Sequence, residues 1–346
     1  MSIKQRLWRA LRNVILIAVS LILTSVLRGC VFRPATAYAG SHFNRGKNAV
    51  WLGVEWVNEA HTSAEIAALA NDLRQRQIAF IFVYTSYLKS TGEFNQTFAH
   101  AGDFIRALKT TAPDLKVLAW IGLPLSYIKL DDPAIRSKII KFSADVAKQS
   151  SFDGIHYDPE LIVDGDINVL ALLDETRQAL GKSSILSIAT HKAWPVMTDA
   201  PWSRWLGPIL WSSNYYREVA RRVDQVAVMI YDTGFTSPML YRQWSRFQVI
   251  AISGALDGTG AELFFGIPTS EEETPTHHAN AENMASGLQG TIDGLNDLDA
   301  RPDAVTGLAI YPYWETDQSE WALYESQWLS TLARYSSKQP ALQAST

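Results

Sequence analysis

The sequence predicts an α/β fold, a (β/α)8 TIM barrel formed as a single domain and preceded by an N-terminal signal or membrane anchor. Three observations lead there. From about Ala49 a short apolar run, a polar turn and a longer amphipathic stretch recur eight times. Strands that alternate with helices pair in parallel, because each return to the sheet needs a right-handed crossover. Eight such units in roughly 290 residues is the size of a barrel. An open, doubly wound sheet gives the same alternation, but no glycine-rich phosphate loop follows the first strand.

The chain of 346 residues opens with Lys4, Arg6, Arg9 and Arg12 ahead of the apolar run Val14–Leu27. That run has 14 residues, fewer than the ~18 of a spanning helix, and it fits the apolar core of a secretion signal. The basic residues before it stay on the cytoplasmic side. The lone cysteine, Cys30, follows in the context Leu27-Arg28-Gly29-Cys30, which resembles a bacterial lipoprotein cleavage site except at Arg28. Residues 1–30 fit either a cleaved, lipidated signal or a retained anchor. Both place the rest of the chain outside the cytoplasm, secreted or at the cell envelope. Residues 31–48 hold Pro, Gly and Ser without sustained periodicity, the pattern of a linker.

The expected strands are Val50–Val57, Ala79–Tyr84, Lys116–Gly122, Gly154–Asp158, Ile185–Thr190, Gln225–Tyr231, Glu262–Ile267 and Gly307–Tyr311, short and mostly apolar throughout. Helical spacing occupies Ser63–Gln75, Phe98–Thr110, Pro133–Lys148, Ile167–Leu180, His278–Leu295 and Ser319–Ala333. Several of these are opened by Asp, Ser or Thr caps. The long aromatic stretch Trp194–Tyr216 and the loop Thr269–Thr276 fit the beat least well. The barrel domain spans 49–335, and the small polar residues 336–346 form a disordered tail.

A composition of 47% hydrophobic and 19% charged residues suits a folded chain with a large core. Residues 1–29 hold five of the 31 basic residues and none of the 35 acidic ones, so the remainder carries a net charge of −9. An acidic surface without a basic patch argues against nucleic acid as a partner. One cysteine excludes an internal disulfide.

The densest chemistry is Phe152–Glu160, FDGIHYDPE. His156, Asp158 and Glu160 fall at i, i+2 and i+4, one face of a strand. A polar ladder is costly in a core unless it borders a site. Barrel sites lie at the C-terminal strand ends. There the sequence also places Glu55, Tyr84, His191, Tyr231 with Asp232, and Tyr313 with Trp314. Each has a structural alternative: an ion pair for Glu55 or for Asp158 and Glu160, a loop role for His191, a helix cap for Asp232, core filling for Trp314.

Asp153-Gly154-x-x-x-Asp158-x-Glu160 resembles the strand-four signature DxxDxDxE of the family 18 glycoside hydrolases, the chitinase and endo-β-N-acetylglucosaminidase group. Met229-Ile230-Tyr231-Asp232 is similar to that family's strand-six Met-x-Tyr-Asp segment, and Trp314 stands where the family keeps a tryptophan that floors the sugar subsite. The resemblance covers about residues 49 to 335. It implies that Glu160 is the general acid and that Asp158 orients the substrate's own 2-acetamido group as the nucleophile, the substrate-assisted form of glycoside hydrolysis. Tyr231 is then expected to hydrogen-bond the acetamido carbonyl and Asp232 a neighbouring hydroxyl or amide. Glu55, Tyr84, His156, His191 and Tyr313 complete the expected binding set. The implied partner is an N-acetylhexosamine-containing polysaccharide or oligosaccharide, with no cofactor and no resident metal.

The chain departs from the signature at His156, where the family has an aspartate. A histidine there is expected to donate a hydrogen bond to Asp158 and keep it ionised. Pro159 removes an N–H where strand pairing stops. Two other readings stay open. One is a catalytically impaired, carbohydrate-binding barrel. The other is a metal-dependent hydrolase with Glu55, His156, Asp158 and His191 as ligands, although no HxH or HExxH spacing supports it.

Overall fold

The computed structural model describes residues 37–194 and 210–329. Its strands are β1 (Asn48–Leu52), β2 (Ile78–Tyr87), β3 (Lys116–Pro124), β4 (Gly154–Glu160), β5 (Ile185–Thr190), β6 (Gln225–Val228), β7 (Glu262–Pro268) and β8 (Val305–Tyr311). They close in sequence order into one parallel barrel, with β8 paired to β1. A helix follows each strand: α1 (Ser63–Gln75), α2 (Ala101–Thr111), α3 (Pro133–Ser150), α4 (Ile167–Leu180), α5 (Ser213–Ala220), α6 (Pro238–Leu256), α7 (Met284–Leu295) and α8 (Gln318–Gln327). The barrel is the one expected. The signal or anchor at 1–30 and the tail at 336–346 lie outside the described residues. Among the described residues no helix is long and apolar enough to cross a membrane.

The apolar strands are explained by burial on both faces. Val50, Leu52, Ile81, Val83, Val117, Ala119 and Ile121 join the layer shared with the helices, whereas Trp51, Phe80, Phe82, Leu118, Trp120 and Phe264 fill the lumen. Burying one such large side chain contributes about 1.5–3 kcal/mol. Polar side chains at the bottom of the barrel close the sheet's open backbone groups. Asp153 accepts from the Val117 N–H at 2.8 Å, Asp224 from Leu186 N–H at 2.8 Å and Asn48 from Leu308 N–H at 3.1 Å. The helix starts are capped as their sequences suggest: Thr62 and Asp317 form capping boxes, and Asp132, Asp166, Ser212 and Asn283 cap α3, α4, α5 and α7.

Several boundaries differ from expectation, and α5 and α6 lie where no helix was expected. Strand one ends at Leu52, and Glu55–Asn58 is a helical turn that buries Val57 under α2. Strand six ends at Val228, although the Met229 N–H still donates to Thr190 O at 2.9 Å. The expected linker is ordered over its described part: the Tyr38 N–H donates to Asn296 Oδ1 at 2.7 Å, and Gly40–His42 form a short 3-10 turn.

Candidate active site

β4 carries the chemistry. Asp153, at its lower end, ion-pairs with Lys109 at 2.7 Å and is structural. Asp158 and Glu160 project from the upper end. The Trp120 indole on β3 donates from Nε1 to Asp158 Oδ2 at 3.0 Å, while Asp158 Oδ1 is buried and has no partner among the described residues. Burial raises the Asp158 pKa to about 8, with the neighbouring Glu160 charge adding to the rise and the Trp120 hydrogen bond opposing it. Glu160 reaches the open rim, yet the protein walls and the Asp232 carboxylate push its pKa up as well, against the pull of Lys192. Both carboxyls are thus pushed toward their protonated forms.

His156 is not part of this group. It is fully buried one layer deeper, stacked on Phe82 with ring centres 3.9 Å apart. Trp51 Nε1 donates to His156 Nε2 at 3.2 Å, and His156 Nδ1 lies 2.8 Å from Ser187 Oγ. An indole N–H is a donor only, so Nε2 carries no proton and Nδ1–H is the donor toward Ser187. Burial alone drives the His156 pKa down to about 3, so the ring is neutral. The expected hydrogen bond from His156 to Asp158 is therefore corrected: both ring nitrogens are engaged elsewhere.

Aromatic rings wall the carboxylates. Tyr231 and Tyr311 stack at 5.2 Å with planes 9° apart. Tyr311 also meets Trp51, Trp120 and Trp314 edge-on at 5.7, 6.3 and 6.0 Å. Gly266 on β7 makes room for this stack, since a Cβ there would lie 2.9 Å from Tyr231 Cε1. Tyr84 packs edge-on against Trp120 at 4.9 Å, and its pKa rises to about 12 through burial, then Tyr87 and Asp158. Trp314 is 46% exposed at the rim, its indole N–H donating to Glu315 at 3.0 Å.

The β6 end is held by a charge network. Asp232 has a left-handed backbone (φ 57°), pinned by its N–H to Glu282 Oε2 at 2.6 Å. Thr233 gives Glu282 Oε1 its N–H at 2.9 Å and its hydroxyl at 2.6 Å. His277 Nδ1 lies 3.3 Å from Asp232 and 3.4 Å from Glu282, while Nε2 faces the Ser270 carbonyl at 3.1 Å. Surrounded by acceptors, His277 is a cation, its pKa raised to about 10 by Asp232 first and Glu282 second. The Lys192 ammonium donates to the carbonyls of Tyr231 at 2.6 Å and Asp232 at 3.2 Å.

The structure thus gathers Tyr84, Asp158, Glu160, Tyr231, Asp232 and Trp314 around one opening. It does not gather the remaining expected residues. Tyr313 turns outward to α1, its hydroxyl donating to Asp72 at 3.1 Å. His191 is neutral, its pKa lowered to about 4 by burial and then Lys192, and it accepts the Ile162 N–H at 3.1 Å, which anchors the loop after β4. The Glu55 carboxylate lies in the helical turn after β1 and makes no hydrogen bond to the cluster. The proposed metal set of Glu55, His156, Asp158 and His191 is consequently not assembled. Among the described residues the group spaced to hold a cation is Asp232, His277 and Glu282, and its Glu282 oxygens are already taken by Asp232 and Thr233.

Trp120, Tyr311, Lys192, His277 and Glu282 went unread in the sequence. Lys192 follows His191 at a strand end, which is a usable signal. The others come from apolar strands or a distant loop. A flank cleft of about 340 Å³ lined by Trp56, His61, His100, Asp103 and Phe104 lies outside the cluster.

No family model matches the chain, and no curated protein matches it in sequence. Solved structures match it in fold. The spore cortex-lytic enzyme SleL of Bacillus cereus is 11% identical, with a TM-score of 0.55 over 82% of this chain and 74% of that one. A class V chitinase from Pseudomonas fluorescens is 13% identical, with a TM-score of 0.55 over 81% of this chain and 99% of that one. A Group IV chitinase from Ostrinia furnacalis is 13% identical, with a TM-score of 0.55 over 82% and 99%. At these identities the likeness is one of fold.

Proposed function

We propose that this chain is a glycoside hydrolase of the family 18 type, cleaving an N-acetylhexosamine-containing glycan by substrate-assisted acid catalysis with Glu160 as proton donor. The observation that carries the reading is the placement of Asp158 and Glu160 together at the open end of β4, beside the Tyr231–Tyr311 stack. The fold likeness to chitinases and to a spore cortex-lytic enzyme supports it. So does the spacing of the strand-four and strand-six segments.

The reaction follows from the positions. A pyranose ring rests on the aromatic faces at the rim, Trp314 among them. Glu160 gives its proton to the glycosidic oxygen as the bond from that oxygen to the anomeric carbon breaks. The acetamido carbonyl oxygen forms the new bond to that carbon, with Asp158 accepting from the amide N–H and Tyr231 donating to the carbonyl oxygen. Water then opens the cyclic intermediate, giving its proton back to Glu160. Asp232 accepts from a neighbouring hydroxyl or amide. Residues 1–30, read as a signal or anchor, put the barrel outside the cytoplasm, where envelope glycans lie.

The test is Glu160→Gln. The variant keeps the fold by circular dichroism and loses hydrolysis of a chromogenic N-acetylglucosaminide that the wild type cleaves. Unchanged activity refutes the assignment. Glycan binding without turnover by the wild type supports the carbohydrate-binding barrel instead.

A further inference from the structure

Under the proposed reaction Asp158 has to stay oriented, and has to ionise as the substrate amide N–H closes on it, beside a protonated Glu160. The family signature has an acidic residue at position 156, but in this chain His156 gives both ring nitrogens to Trp51 and Ser187. The remaining contact to Asp158 comes from the next strand. Trp120 on β3 sits in register opposite His156, two residues below Gly122, the partner of Asp158. Its ring is 8% exposed and is fixed edge-on by Tyr84 at 4.9 Å and Tyr311 at 6.3 Å. The direction of the indole N–H is therefore set by packing. It ends on Asp158 Oδ2 at 3.0 Å, and among the described residues Oδ1 has no donor.

We propose that Trp120 is a positioning residue: its indole N–H holds the Asp158 carboxyl in place and favours its ionised form against the burial and the neighbouring charge that oppose it, the part that His156 does not play. This rests on the glycosidase reading above. The groups facing Asp158 and its pair partner are Glu160 on β4, Lys192 after β5, Asp232 after β6, and the hydroxyls of Tyr84, Tyr231 and Tyr311. Among the described residues none of these donates a hydrogen bond to Asp158. Two of them are carboxylates that oppose a second negative charge. Among the described residues the indole N–H is then the hydrogen bond that stabilises the ionised form, and removing it leaves both oxygens without a described donor.

Trp120→Phe keeps an aromatic ring and deletes the N–H. With an N-acetylglucosamine oligomer as substrate, kcat at pH 6 falls about 10- to 100-fold while KM stays within about threefold, the size expected for losing a charge-assisted hydrogen bond. The acidic limb of the kcat profile moves to higher pH, because the ionised form of Asp158 has lost its donor. A measurement on the wild-type chain avoids any folding defect of the variant. In protein labelled with nitrogen-15 indole, the Trp120 Nε1–H resonance shifts with pH along the titration of Asp158, and Asp158→Asn abolishes that shift. A wild-type pH profile in Trp120→Phe, or an indole resonance indifferent to pH, overturns the proposal. If the wild type cleaves no N-acetylated glycan, the glycosidase reading fails, and the indole resonance still decides the role of Trp120.

Discussion

The buried His156 makes stability depend on acid in a way that a variant isolates. Its imidazole has an ordinary pKa of 6.5 in the unfolded chain and about 3 in the fold, the shift caused by burial. A histidine whose folded pKa is depressed contributes its full stability above pH 6.5. That stability is lost as pH falls from 6.5 toward 3, because the unfolded chain binds a proton that the folded one refuses. Each pH unit within that window costs about 1.4 kcal/mol, so moving from pH 7 to pH 4 removes about 3 kcal/mol through this residue alone. His156→Gln supplies a neutral stand-in: the amide oxygen can accept from Trp51 Nε1 and the amide nitrogen can donate to Ser187. At pH 7 the variant is less stable by about 1–2 kcal/mol, having lost the ring packed on Phe82. Its further loss between pH 7 and pH 4 is smaller than that of the wild type by about 3 kcal/mol. Urea unfolding at the two pH values measures both terms, and the buried His191, present in both proteins, cancels from the difference. Equal acid sensitivity of wild type and variant refutes the reasoning, as does a folded-state His156 that titrates near its ordinary value.

The network behind Asp232 predicts the opposite sign. His277 has a raised pKa, so its stabilisation is complete below pH 6.5 and disappears as pH climbs through about 10. Discounted for the half-exposed Asp232, His277→Ala is less stable by on the order of 2–3 kcal/mol at pH 6, and the gap closes toward pH 10 in chemical denaturation. Gly266→Ala puts a Cβ 2.9 Å from both Tyr231 Cε1 and Val228 O. It lowers the thermal midpoint through an overpacking cost of about 1–3 kcal/mol, and it lowers kcat with it. Trp314→Ala leaves the fold stable, because the ring is half exposed, and raises KM about tenfold with a smaller change in kcat, read from steady-state kinetics.

The barrel was legible because its strands are buried on both faces and separated by capped helices, so apolar runs and caps marked nearly every element. Boundaries were less so. Val54, Trp56 and Val57 continue the apolar pattern of β1 but belong to or border a helical turn. A short apolar run looks alike in strand and buried helix. Asp158 and Glu160 were visible because two acids share one short strand. Trp120 and Tyr311 look like ordinary core aromatics until the barrel closes and brings β3, β4 and β8 together. His156 was misplaced for a subtler reason. Period two correctly puts it on the lumen face with Asp158, but the lumen is layered, and the lower layer is packed by Trp51 and Phe82. His277 and Glu282 lie far along the chain in a loop that carries no motif, so their approach to Asp232 was invisible without the fold.

The central claim is that the substrate's acetamido group does the nucleophilic work between Asp158 and Glu160. The most direct measurement is mass-spectrometric product analysis after incubating the wild-type chain and Glu160→Gln with chitin oligomers, their fully N-deacetylated counterparts and peptidoglycan. Cleavage of the acetylated oligomers by the wild type, none of the deacetylated ones, and none by Glu160→Gln is the predicted outcome. Equal cleavage of the deacetylated oligomers, or full activity in Glu160→Gln, would contradict it.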